Sequence, residues 1–129
     1  MNNNVIRIDG TIKKKLCDLA VRTYPAECCA MLFTRNGEAI DEFCELSNKC
    51  DRNNRYITDP HEIYECEKTY LEKGYEVMGF FHSHPDSTAT VSNEDERNMI
   101  PGLLYLIAQV TGDECRRMRL WRKNIIGEA

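Results

Sequence analysis

No stretch of this chain approaches the roughly 18 consecutive apolar residues that a membrane-spanning helix requires, so no membrane partner is expected. Any Cys-x-x-Cys pair is also missing, although there are 7 cysteines: Cys17, Cys28, Cys29, Cys44, Cys50, Cys66 and Cys115. Their number is odd and two are adjacent, which fits reduced thiols in a reducing compartment better than a disulfide framework or a zinc ribbon. Met1 to Gly10 lacks the basic and apolar regions of a signal peptide, so the expected location is cytoplasmic. Internal repeats, low-complexity tracts and Pro/Ser-rich linkers are absent, and with them any sign of a domain boundary. Basic residues are scattered apart from Lys13 to Lys15 and Arg116 to Arg122, and the net charge is −4, which argues against nucleic acid as a partner. What is present is ordinary globular material. With 42% hydrophobic and 29% charged residues, a chain of 129 residues can bury one core, in a single domain spanning 1–129.

Periodicity then divides the chain. Residues 4 to 8 read as a first strand, and Thr11 is placed to cap a helix in which Ile12, Leu16, Leu19 and Ala20 recur at helical spacing toward Thr23. Pro25 ends the connection. Glu27 to Arg35 holds a nearly continuous apolar run, Asn36-Gly37 predicts a type I′ hairpin turn, and a returning strand follows over Glu38 to Leu46. Ser47 to Thr58 is polar and reads as a loop. Asp59-Pro60-His61-Glu62 has the form of a helix start, with Ile63, Cys66, Tyr70 and Leu71 as the buried face and Gly74 as the stop. Tyr75 to Phe81 predicts a strand delivering His82-Ser83-His84-Pro85 to its C-terminal edge. After the loop Asp86 to Val91, Ser92 opens a short helix to about Ile100, and Leu103 to Val110 is the most apolar strand. A last strand follows Thr111-Gly112-Asp113, in which Met118 and Leu120 alternate with Arg117 and Arg119.

Two of the 3 histidines, His82 and His84, are two apart, a spacing that in extended backbone puts both imidazoles on one side, where two nitrogens can meet one ion. Asp95 stands at the third position after Ser92, so a helix starting there would aim its carboxylate back at the strand edge. Two nitrogens and one oxygen leave a fourth tetrahedral position open for water, which distinguishes catalytic zinc sites from closed structural ones. Plainer readings compete: Ser92-Asn93-Glu94-Asp95 by itself is a variant capping box, and a His-x-His pair is usually two unrelated histidines.

His-Ser-His-Pro followed by Ser92 and Asp95, with ten residues between His84 and Asp95, resembles the His-x-His-x10-Asp motif of the JAMM (MPN+) metallopeptidases. Pro25-Ala26-Glu27-Cys28-Cys29-Ala30-Met31-Leu32 resembles the family's segment carrying an upstream glutamate. Asn48, Tyr56 and Asp59-Pro60 stand where prokaryotic members have similar residues. Ala30 replaces a common Gly and Val91 a common Pro, neither of them a ligand position. The resemblance implies a cytidine-deaminase-like (JAB1/MPN) α/β fold, a mixed β-sheet flanked by helices. It implies one catalytic zinc ion held by His82, His84 and Asp95, Glu27 as general acid and base, and the Ser92 hydroxyl as oxyanion donor.

Members of the family cleave the amide after the C-terminal Gly-Gly of ubiquitin or a ubiquitin-like protein. This short chain is similar to the stand-alone prokaryotic type that trims ubiquitin-like sulfur-carrier proteins, so the expected partner is a sulfur carrier ending in Gly-Gly, in cysteine or related sulfur metabolism. Alternatives are a non-catalytic MPN-type scaffold, or a peptidase for a phage tail protein or a small amide. A nucleoside deaminase would need His-x-Glu and Pro-Cys-x-x-Cys, and neither occurs. Cys28 is a tempting nucleophile, but a cysteine in an apolar strand is more often an inert small hydrophobe. His61 is expected to be exposed and Trp121 to cover the sheet.

Overall fold

In the computed structural model, which describes residues 6–48, 58–89, 97 and 99–122, the chain runs β1 (Arg7–Ile8), α1 (Gly10–Thr23), β2 (Cys29–Thr34), β3 (Ala39–Ile40), β4 (Glu42–Leu46), α2 (Pro60–Glu72), β5 (Glu76–Pro85), β6 (Leu104–Thr111) and β7 (Glu114–Arg122). Five strands form one sheet in the order β4-β2-β5-β6-β7, and β1 pairs with β3 separately. Only β5 and β6 are parallel within the large sheet, which requires a crossover connection in place of a hairpin; residues 86–103 supply it. A mixed sheet flanked by helices is the expected fold class.

Alternate residues of β2 feed two cores. Ala30 and Leu32 pack with Leu16, Leu19 and Ala20 of α1, while Cys29, Met31 and Phe33 pack with Cys66 of α2. The apolar run of β2 is therefore continuous because both its faces are covered. At the start of α1 the cap is Asp9, two residues earlier than the expected Thr11: its carboxylate accepts from Thr11 N–H at 2.8 Å and Ile12 N–H at 3.3 Å. The start of α2 is as read, with Asp59 accepting from His61 N–H and Pro60 in the first turn. Ile63, Cys66 and Tyr70 face the sheet, Tyr70 stacked on Phe33 at 4.5 Å between ring centroids, but Leu71 is half exposed.

Two further expectations are corrected. The strand over Glu38 to Leu46 is broken at Asp41, so that Ala39–Ile40 pairs with β1 and Glu42–Leu46 with β2. The turn is not type I′, since Gly37 has φ 85° while Asn36 is not left-handed; Asn36 instead accepts from Glu38 N–H, and Thr34 Oγ1 from Gly37 N–H. Nor are all the cysteines reduced: Cys44 and Cys66 are joined in a disulfide that ties β4 to α2. Their Cα atoms stand 6.2 Å apart, a separation that only tertiary packing could bring about across 22 residues of chain. Cys17, Cys28, Cys29 and Cys115 are thiols, and Cys50 lies outside the described residues.

Gly79 on β5 sits opposite Leu104 of β6, and a Cβ there would run into the Leu104 backbone. Close approach of these two strands thus demands glycine three residues before the first histidine.

Candidate active site

β5 carries both histidines into the sheet interior before it ends at Pro85. His82 is 1% exposed and His84 9%. Their Nε2 atoms are 3.1 Å apart, with the rings tilted at 53°. Two nitrogens each about 2.0–2.1 Å from a tetrahedral zinc ion stand about 3.3 Å apart, so the pair already has nearly the separation such an ion imposes. Thr88 O lies 2.8 Å from His84 Nδ1. A carbonyl only accepts, so Nδ1 carries the proton and His84 Nε2 presents a lone pair; this backbone contact sets the tautomer that metal ligation needs.

Ser83, between the histidines, faces the other side and is fully buried. Its Oγ accepts from Cys28 N–H at 2.9 Å, and Cys28 O accepts from Ser83 N–H at 3.2 Å. Cys29 is in register with His82, so this antiparallel track puts Glu27 opposite His84, on the imidazole face of the sheet. Glu27 is 6% exposed, and Asn48 Nδ2–H donates to its backbone carbonyl at 2.8 Å. A buried carboxyl beside two imidazoles is an arrangement suited to proton transfer.

Further contacts hold the rim. Tyr24 Oη–H, at the end of α1, reaches both carboxylate oxygens of Asp86 at 2.8 Å, and Asp86 adopts φ 55° just after the histidine segment. Trp121 Nε1–H donates to Ala89 O at 3.1 Å, so the tryptophan is tied to the segment that follows His84. His61 is exposed on α2, its Nε2 4.0 Å from the Glu65 carboxylate.

Ser92 and Asp95 lie outside the described residues, as do Val91 and Tyr56. Among the described residues no group of three or more His, Cys, Asp or Glu converges as a ligand set; the two imidazoles are the part these residues hold. The two thiols beside Glu27 do not compete as nucleophiles. Burial pushes Cys28 up to about 11 and Cys29 up to about 12, so both stay protonated at neutral pH. Sequence reasoning missed Thr88, Tyr24 and Asp86: one acts through a backbone carbonyl, and the others meet across 62 residues.

A mixed α/β sheet with two imidazoles converging at the end of β5, and a buried glutamate just before β2, is the frame of a JAB1/MPN domain protein. Residues 11–122 match the family described as prokaryotic homologues of the JAB domain. A desampylase of Haloferax volcanii is 31% identical over 106 residues, covering 73% of this chain and 76% of the relative. Among solved structures, a Desulfitobacterium hafniense protein superposes with a TM-score of 0.75 at 27% identity, covering 90% of this chain and 81% of that one. A JAB1/MPN domain protein of Archaeoglobus fulgidus superposes with a TM-score of 0.66 at 18% identity, covering 95% and 92%. The chain belongs to the prokaryotic JAB family.

Proposed function

We propose that this protein is a zinc-dependent peptidase that hydrolyses the amide after the C-terminal Gly-Gly of a ubiquitin-like, sulfur-carrier-type protein. The observation that carries the reading is the His82–His84 pair, buried, 3.1 Å apart at Nε2 and oriented by Thr88. Similarity to a desampylase supports hydrolysis of a linkage to a ubiquitin-like modifier. The donor set fits zinc: His82 and His84 would hold the ion, with Asp95 as the third ligand by the sequence motif. Bound zinc would supply a Lewis acid and lower the pKa of water toward about 7.

The chain's own residues then divide the work. Glu27, held by the backbone contacts at Cys28 and Asn48, takes the proton of the attacking water and returns it to the leaving amine. Ser92 donates its hydroxyl hydrogen bond to the oxygen that gains charge during attack. The buried setting of Glu27 limits competing water and strengthens its electrostatic effect on the scissile amide. We place this activity in the cytoplasm, in cysteine or related sulfur metabolism.

The test is intact mass of a sulfur carrier extended by one residue beyond Gly-Gly, incubated with zinc-loaded wild type and with Glu27→Gln. Cleavage after the second glycine by wild type alone is expected. Zinc binding without cleavage of this or any other amide would favour the scaffold instead.

A further inference from the structure

The sheet is electrically lopsided. On β4 and α2, at one side, stand Glu42, Glu45, Glu62, Glu65, Glu67 and Glu72 against Lys68, with Glu45 paired to Arg22 at 3.4 Å. At the opposite edge β7 carries four arginines, Arg116, Arg117, Arg119 and Arg122, against a single glutamate, in a chain of net charge −4. Glu114 pairs with Arg116 at 3.2 Å, whereas Arg117 and Arg119 have no carboxylate within ion-pair distance among the described residues.

Register determines which face these two occupy. His84 aligns with Gln109 and then Arg117, and His82 with Ile107 and then Arg119. Laterally aligned residues share a face, so Arg117 and Arg119 stand on the imidazole side, two strands or about 10 Å from the histidines. Arg116, Arg122, Met118 and Leu120 do not join them: Met118 packs on the α1 core, and the register shift after Gln109 leaves Arg116 as the extra residue of a bulge. Arg119 lies over the Trp121 ring, its Cζ 5.1 Å from the centroid, which holds the guanidinium at the edge of the site. Two like charges two residues apart on one strand face repel, and an anion between them removes that cost.

We propose that Arg117 and Arg119 form a docking strip for an acidic patch on the folded body of the ubiquitin-like partner, next to the tail that enters the site. This rests on the function proposed above. The acidic β4–α2 side repels the same patch, so the two edges together orient the partner across the sheet. A protein partner suits the strip better than nucleic acid, because among the described residues of β7 two arginines without an ion pair share the face, and the chain is acidic.

The test compares Arg117→Glu/Arg119→Glu with wild type on two zinc-dependent reactions: a folded ubiquitin-like carrier extended beyond Gly-Gly, and a short peptide with the same tail. The expected result is a KM for the folded carrier raised roughly ten- to hundredfold, with kcat unchanged and with the salt dependence of kcat/KM lost. Cleavage of the short peptide should be unchanged within twofold, and Arg117→Lys/Arg119→Lys should restore most of the affinity. An unchanged KM, or equal damage on both substrates, would overturn the strip. Should wild type cleave neither substrate, the proposed function fails separately, and fluorescence anisotropy of the labelled carrier decides the strip: equal affinity for wild type and the Glu variant overturns it. Binding of single-stranded RNA lost in the same variant, with carrier binding kept, also overturns it.

Discussion

On the proposed function, removing one imidazole should cost the protein most of its affinity for zinc. The Nε2 atoms of His82 and His84 are 3.1 Å apart, close to the separation about a tetrahedral ion, and the tautomer of His84 is set by Thr88. Little reorganisation is therefore needed on binding, and the loss on mutation should approach a full ligand's share. Four-ligand zinc sites bind with roughly 10–16 kcal/mol, so one ligand is worth about 3–4 kcal/mol, or about 10²- to 10³-fold in Kd. His84→Ala should weaken zinc by that factor in competition against a chromogenic chelator, and the cobalt-loaded protein should lose its tetrahedral absorption bands. His61→Ala supplies the control, because that side chain is 77% exposed on α2. Equal zinc affinity in wild type and His84→Ala, or equal losses in both variants, would refute the assignment of the histidine pair.

Glu27→Gln should keep zinc affinity within a few-fold while lowering kcat by about 10²-fold or more, measured on the carrier substrate; retained turnover would remove its role. Gly79→Ala should cost about 1–3 kcal/mol in urea unfolding, because the new methyl meets the Leu104 backbone in place of a side chain that can give way. Cys66→Ser opens a loop closed across 22 residues and should lower stability by about 3 kcal/mol, read from the urea midpoint of unreduced protein. Alkaline pH should also destabilise the fold. The Cys28 and Cys29 thiols stay protonated to about 11 and 12, while those of the unfolded chain ionise near pH 9. The native state then binds more protons than the unfolded one, and stability falls as pH rises from about 9 to 11. A urea midpoint flat over that window, compared with Cys28→Ala/Cys29→Ala, would contradict this.

Much of the architecture was legible because local signals and tertiary demands agree. The spacing of Ile12, Leu16, Leu19 and Ala20, the Asp59-Pro60 start and the apolar run of β2 each reflect a face that must be buried whatever packs on it. The histidine pair was legible for the same reason, since a two-residue spacing on a strand is geometry written directly into the chain. Helix α1 shows the limit of local reading: Thr11 and Asp9 are both competent caps, and Asp9, whose N–H donates to Ile40 O beside the β1–β3 pairing, is the one used.

By itself, then, the sequence determined the elements, the two imidazoles on one side of a strand and a neighbouring apolar segment bearing Glu27. Tertiary structure alone decided what depends on contacts between distant residues. It split the returning strand so that Ala39–Ile40 could pair with β1, and it joined Cys44 to Cys66. It set Tyr24 against Asp86, aligned Arg117 and Arg119 with the histidines through β6, and turned a backbone carbonyl at Thr88 onto His84. Such contacts leave no periodic trace, because a backbone carbonyl is the same at every residue and register across a sheet is chosen by the packing of both its faces.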